Sequence, residues 1–273
     1  MAEQVTSKKS IKKEDRTNII LYTLIAYGTT WSILFPLVFF YSTIDFYLRE
    51  LWHSLGAIGP AVAGMVILTR KSEEKGVSWL KKGIIKIPEV KLVIFAFIPL
   101  IIFVVSLLLE IMLGLTDVLK ILRENNVIDL TSLFFFFLPS LSYGFFEEIG
   151  WRGYLLPKLQ NYYTALKATL FLTIIWYFWH LPMFFYRFDL FFAIMFMLPL
   201  LISGSIVFTY LYNASKGSIL IVIIFHISYD ITSSSGLSFI AVIAVSAFFI
   251  MMDIRAIKVF GIESLAQTEK III

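Results

Sequence analysis

The sequence predicts an all-α, polytopic membrane protein of about eight transmembrane helices. Composition is the first reason: of 273 residues, 59% are hydrophobic and 15% charged, against about 45–50% and 25% in an ordinary soluble domain. The second is the mean hydropathy of +0.86, with 27 Phe among the aromatics. No water-soluble fold of this length has interior enough for so much apolar surface, so much of it faces lipid. The third is the division of the chain into apolar runs about as long as a bilayer core requires. The absence of Cys excludes disulfides, iron–sulfur clusters and Cys-ligated zinc. A net charge of +4 and a pI near 9.1 do not argue for nucleic acid here, because in such a chain the basic residues report topology.

Taken in order, residues 1–17 form a polar, basic N-terminal tail. The run 18–42 follows it and exceeds a signal-peptide core, so it reads as a retained helix. The next run is 51–69, and after it KGVSWLKKGIIKI (75–87) alternates basic and apolar residues. That pattern suits an interfacial helix and a solvated basic loop equally. Further runs cover 91–115, 131–156, 167–187, 190–212, 218–234 and 236–252, the last two divided only by Ser233–Gly236. The Phe134–Phe137 row reads as lipid-facing bulk, and residues 253–273 form a C-terminal tail. With this partition nineteen of the 23 Lys and Arg fall on one side, and Arg49, Lys120, Arg123 and Arg187 on the other. The asymmetry predicts that both termini are cytoplasmic and that the span number is even.

Charges within spans cost about 2.5–3.5 kcal/mol each on insertion scales, so their positions carry information. They gather in FFEEIGWRG (145–153), WYFWHLP (176–182) and FHISYD (225–230). Glu148 and Arg152 are four apart on one helical face, acid first, the order that favours an ion pair. Glu147 lies about 100° around the helix, with Gly144 and Trp151 as its neighbours one turn away. A carboxylate so placed suits proton transfer, although a buried cluster of both acids with Arg152 would be purely structural. His180 follows Trp176 by one turn and precedes Pro182. His226 and Asp230 are four apart, so the carboxylate can accept the imidazole N–H and select its tautomer. The third histidine, His53, lies near the outer interface and reads as structural. Three ionisable patches at comparable depth in separate helices point to one water-filled site.

These residues resemble the CAAX-protease and bacteriocin-processing family, which includes the type II CAAX prenyl endopeptidases. Its first motif, two Glu followed after three residues by Arg, is met by Glu147, Glu148 and Arg152. Its second, an aromatic residue four before His, is met by Trp176 and His180, with Trp where Phe is usual. Its third is met by His226 and Asp230, where the prenyl-protease branch prefers Asn at the last position. The LGAIGPAVAG stretch (55–64) also looks like family sequence. The resemblance implies a protease domain over 18–252 with its motif core at 140–230. Glu147 would be general base, His180 would hold the attacking water, and His226 with Asp230 would serve the oxyanion. Glu148 and Arg152 would fix Glu147 from behind.

The function so implied is an intramembrane endopeptidase cutting near the C-terminus of a lipidated, CAAX-type or membrane-embedded peptide. A membrane-associated peptide or prenylated protein is then the substrate partner, with lipid around it and no nucleic acid. The location is a multi-pass protein of the cell membrane in a prokaryote or of the endoplasmic reticulum in a eukaryote. No cofactor is favoured, since no HExxH-type ligand pair shares a helix. The alternative is zinc held by Glu147, His180 and His226 with one open position. Two other functions compete. A non-catalytic scaffold or bacteriocin-immunity protein would tolerate loss of Glu147. A proton-coupled transporter predicts broken helices and inverted repeats, neither of which the sequence displays.

Overall fold

The computed structural model describes residues 11–70 and 73–273, and among them every regular element is helical. Lys8, Lys9 and Lys71 of the basic count lie outside the described residues. Helix α1 (Lys13–Phe40) begins five residues before its apolar run. Asp15 accounts for part of that, because it pairs with Lys158 at 3.0 Å and ties the first turn to the bundle. The second run is one span of 24 residues, Phe46–Thr69, broken at 56–57 into α2 (Phe46–Leu55) and α3 (Ile58–Thr69).

The segment after it is α4 (Glu73–Ile85), which decides between the two readings in favour of a helix. Leu80 is buried and Trp79 Nε1 donates to the Gly153 carbonyl at 2.7 Å, while Val77 and Ile85 stay exposed. The third run bends by 45° between α5 (Val90–Ala96) and α6 (Ile98–Met112). A short α7 (Val118–Glu124) precedes α8 (Leu130–Gly150). The chain then widens into one π turn at Trp151–Leu155 and finishes in α9 (Leu156–Gln160). Helix α10 (Ala165–Trp179) ends in a 3-10 turn, Leu181–Phe185. The remaining helices are α11 (Leu190–Phe192), which runs into a π turn at Ala193–Met197, then α12 (Leu198–Ala214), α13 (Ile219–Ser234) and α14 (Phe239–Arg255), which ends in a π turn at Ala256–Phe260.

All eight apolar runs are therefore helical, but they are not alike. Five helices are long and apolar enough to cross a membrane, or six with the bent pair taken as one span. Helices α10 and α13 have 15 and 16 residues, about 23–24 Å at 1.5 Å per residue, short of a ~30 Å core. A span that short is completed by irregular backbone, which a bilayer tolerates only inside protein or beside a cavity. One broken span is thus present after all, at Phe97, which removes its absence as an argument against a transporter.

Two further expectations change. The Phe134–Phe137 row splits: Phe134 is exposed, whereas Phe136 and Phe137 pack against buried Phe103, Leu237 and Ala241. Glu110 is a fourth ionisable site within an apolar run. It is buried, and its carboxylate accepts the Ile240 N–H at 2.9 Å, satisfying the start of α14. The bundle ends are chemically distinct. At one end Lys158 meets Asp15, Lys86 Nζ donates to the Lys216 carbonyl at 2.6 Å, and Lys270 Nζ donates to the Tyr163 carbonyl at 2.8 Å. At the other, Arg49 and Arg187 converge on Glu50. Those groups match the two sides of the basic-residue count.

Candidate active site

Close backbone approach sets the site. A Cβ on Gly150 would lie 2.3 Å from the Pro60 carbonyl carbon and oxygen, so α8 rests directly on α3. One on Gly144 would lie 2.6 Å from Ile227 Cγ1 and 3.0 Å from its nitrogen, so α8 and α13 also touch at backbone range. The second contact brings Glu148 of α8 to His226 of α13.

Glu148 is the hub. Its Oε1 accepts from Arg152 Nη1 at 2.8 Å and from His226 Nδ1 at 2.7 Å, and both Glu148 and Arg152 are fully buried. The pairing expected from the i,i+4 spacing is present. Its consequence differs, because Glu148 and Arg152 hold His226 rather than Glu147. The Arg152 guanidinium also lies 4.6 Å above the Phe208 ring and 5.4 Å above Trp176, so its delocalised charge is sheathed by aromatic faces.

Glu147 is buried, and Trp151 Nε1 donates to its Oε2 at 2.9 Å. The π turn begins at Trp151, and such single wide turns recur at functional sites. Helical spacing alone names Trp151 as a neighbour but does not identify it as a donor. His180 is the residue that ends α10, and its Nδ1 donates to the Trp176 carbonyl at 2.8 Å. A neutral ring that donates from Nδ1 carries its lone pair on Nε2. His226 Nε2 lies 3.6 Å from Asp230 Oδ1, ion-pair distance rather than a hydrogen bond. The contact that orients the His226 ring is therefore Glu148, with Asp230 beside the second nitrogen. Trp176 packs between the histidines, 5.7 Å from His180 and 5.8 Å from His226 by ring centroids.

One cavity of about 400 Å³ brings together Glu147, His180, His226 and Asp230, a volume typical of ligand pockets. Glu148 and Arg152 stand behind its wall. His53, read as structural from sequence, lines it too: its Nδ1 is 2.7 Å from Tyr186 Oη, and Tyr143 Oη donates to its carbonyl at 3.1 Å. Tyr143 is four residues before Glu147, so helical spacing could have found it. Tyr186 and Arg187 carried no such signal. A metal fits poorly: among the described residues no three His, Asp or Glu are grouped to hold an ion. Of the expected ligands, His226 has carboxylates at both ring nitrogens and Glu147 is engaged by Trp151.

Glu147, Glu148, Arg152, His180, His226 and Asp230 fall within a segment, 129–232, that matches the family model of the Rce1-like type II CAAX prenyl endopeptidases. The likeness over these residues is to the Rce1-like domain. The chain is also similar to CAAX prenyl protease 2 of Methanococcus maripaludis, 37% identical over 90 residues. That match covers 30% of this chain and 33% of the relative, so it spans about a third of the relative's length. Integral membrane placement follows from the apolar helices together with this domain.

Proposed function

We propose that the protein is an intramembrane endopeptidase that hydrolyses a peptide bond near the C-terminus of a lipidated, CAAX-type or membrane-embedded peptide. The observation that carries this reading is the convergence of Glu147, His180, His226 and Asp230 on one buried cavity from three separate helices. Water bound between Glu147 and His180 Nε2 attacks the scissile carbonyl carbon, and its proton passes to the Glu147 carboxylate. The carbonyl oxygen becomes an oxyanion, and His226, braced through Nδ1 by Glu148, presents its other ring nitrogen as donor. When the C–N bond breaks, Glu147 returns the proton to the leaving amine. Asp230, beside His226 Nε2, balances the imidazole. No step here runs through a metal.

Both termini are cytoplasmic in this reading, because the helix ends that gather Lys86, Lys158 and Lys270 are the basic ones. The cavity residues His180, Arg187 and Asp230 lie on the stretches of their elements leading away from that end.

The test is cleavage of a farnesylated CAAX-type peptide by purified protein in lipid nanodiscs. Glu147→Gln should lower the rate at least ~10²-fold, the lower bound for a lost general base, with thermal stability retained. Undiminished cleavage by a folded Glu147→Gln protein overturns the reading.

A further inference from the structure

We propose that Arg187 forms the subsite that receives the free C-terminal carboxylate of the peptide, a proposal that rests on the peptidase reading above. Arg187 lies seven residues beyond His180, past the 3-10 turn, and lines the same cavity as Glu147, His180 and His226. Its backbone N–H donates to the Met183 carbonyl at 2.8 Å, so its position is fixed relative to that turn. Nη1 donates to Tyr41 Oη at 2.8 Å and reaches both Glu50 oxygens at 3.3 Å. Charge-assisted pairs close to about 2.7–2.9 Å when fully made, so the Glu50 contact is a loose one. Glu50 is also shared, since Arg49 Nε donates to it at 3.0 Å. One carboxylate thus stands between two guanidinium groups. A guanidinium fork matches a second, incoming carboxylate in plane and charge, which an amide cannot reproduce.

The wall between Arg187 and the reacting groups suits a short apolar peptide. Met183, Phe188, Met197 and Leu201 line the cavity, as do His53 and Tyr143, whose rings stack at 5.0 Å. Tyr186 and His53 are joined by their 2.7 Å contact. The cavity lining thus includes a guanidinium, Arg187, as well as the carboxylates of Glu147 and Asp230. A peptide whose terminus docks on Arg187 presents a bond a few residues upstream to Glu147, and the distance between the two sets the cut position.

The experiment uses a farnesylated CAAX-type peptide made with a reduced scissile bond, as the free acid and as the C-terminal amide. Binding of each to the purified full chain in nanodiscs is measured, and the cleavable acid is assayed in parallel. Wild type should bind the acid at least tenfold tighter than the amide. Arg187→Gln should bring the ratio to about one, and so should Glu50→Gln/Arg187→Gln, which strands no buried carboxylate. Glu50→Gln alone should raise the ratio, because it removes the competing acceptor. A tie that merely joins α2 to the loop after α10 predicts lower stability for Glu50→Gln and an unchanged ratio, and that result overturns the proposal. So does equal binding of acid and amide by wild type, or a retained preference in a folded Arg187→Gln protein. Acid preference without turnover refutes the peptidase reading and leaves the subsite standing, whereas turnover without acid preference refutes the subsite alone.

Discussion

Replacing Glu148 by Gln keeps the volume of the side chain and removes its charge. Two charge-assisted hydrogen bonds depend on that charge, Arg152 Nη1 at 2.8 Å and His226 Nδ1 at 2.7 Å. Each such bond contributes about 1.5–3 kcal/mol. The larger cost is Arg152, which has no exposed surface and would be left as a buried cation without its carboxylate. Breaking one side of a buried pair costs about 3–5 kcal/mol. The aromatic faces of Phe208 and Trp176, 4.6 and 5.4 Å from the guanidinium, still hold the cation and recover up to about 2 kcal/mol. The expected net loss is therefore about 1–5 kcal/mol. In the double variant Glu148→Gln/Arg152→Met the stranded charge is gone, and at least half of that loss should be restored. Denaturant unfolding in mixed micelles measures the four corners of this cycle, with peptide cleavage followed on the same preparations. Activity should stay low in the double variant, because His226 has lost its brace while the fold has recovered. A single variant within about 0.5 kcal/mol of wild type, or a double variant no more stable than the single, would refute the hub assigned to Glu148.

Trp151→Phe removes the donor to Glu147 but keeps the ring that packs against Tyr22 and Trp179 at 5.7 and 5.9 Å. Cleavage should fall about tenfold for a bond worth ~1.5 kcal/mol, and steady-state kinetics equal to wild type would count against the contact. Gly150→Ala places a methyl group against the Pro60 backbone at 2.3 Å; overpacking of this kind costs about 1–3 kcal/mol, visible as a lower unfolding midpoint, and an unchanged midpoint would mean that α3 and α8 can separate freely. The chain has no native Cys, so a single thiol reports alone. Cysteine at exposed Lys81 should react with an impermeant maleimide from the cytoplasmic side and cysteine at exposed Asn125 from the opposite side; the reverse pattern would invert the orientation inferred from the basic residues.

Much of this molecule is written in local pattern. Apolar runs of bilayer length settle the class of fold, because lipid permits few alternatives to helices for a spanning backbone. Within one helix the 3.6-residue period links Glu148 to Arg152 and His226 to Asp230 without knowledge of any other element. What the period leaves open is how helices meet. The 2.7 Å contact between Glu148 and His226 joins residues 78 apart, and it exists because Gly144 lets α13 approach α8 at backbone range. The same packing draws His53 from a second helix and Arg187 from a loop into the cavity, where no local spacing relates them to Glu147. Helix lengths show the same division. The sequence alone establishes that 167–187 and 218–234 are apolar, but only the tertiary structure ends α10 at Trp179. There Pro182 and the cavity wall make a turn less costly than a continued helix. Single-element geometry is determined by covalent periodicity, whereas the site is determined by distances between elements, which close packing of small residues sets.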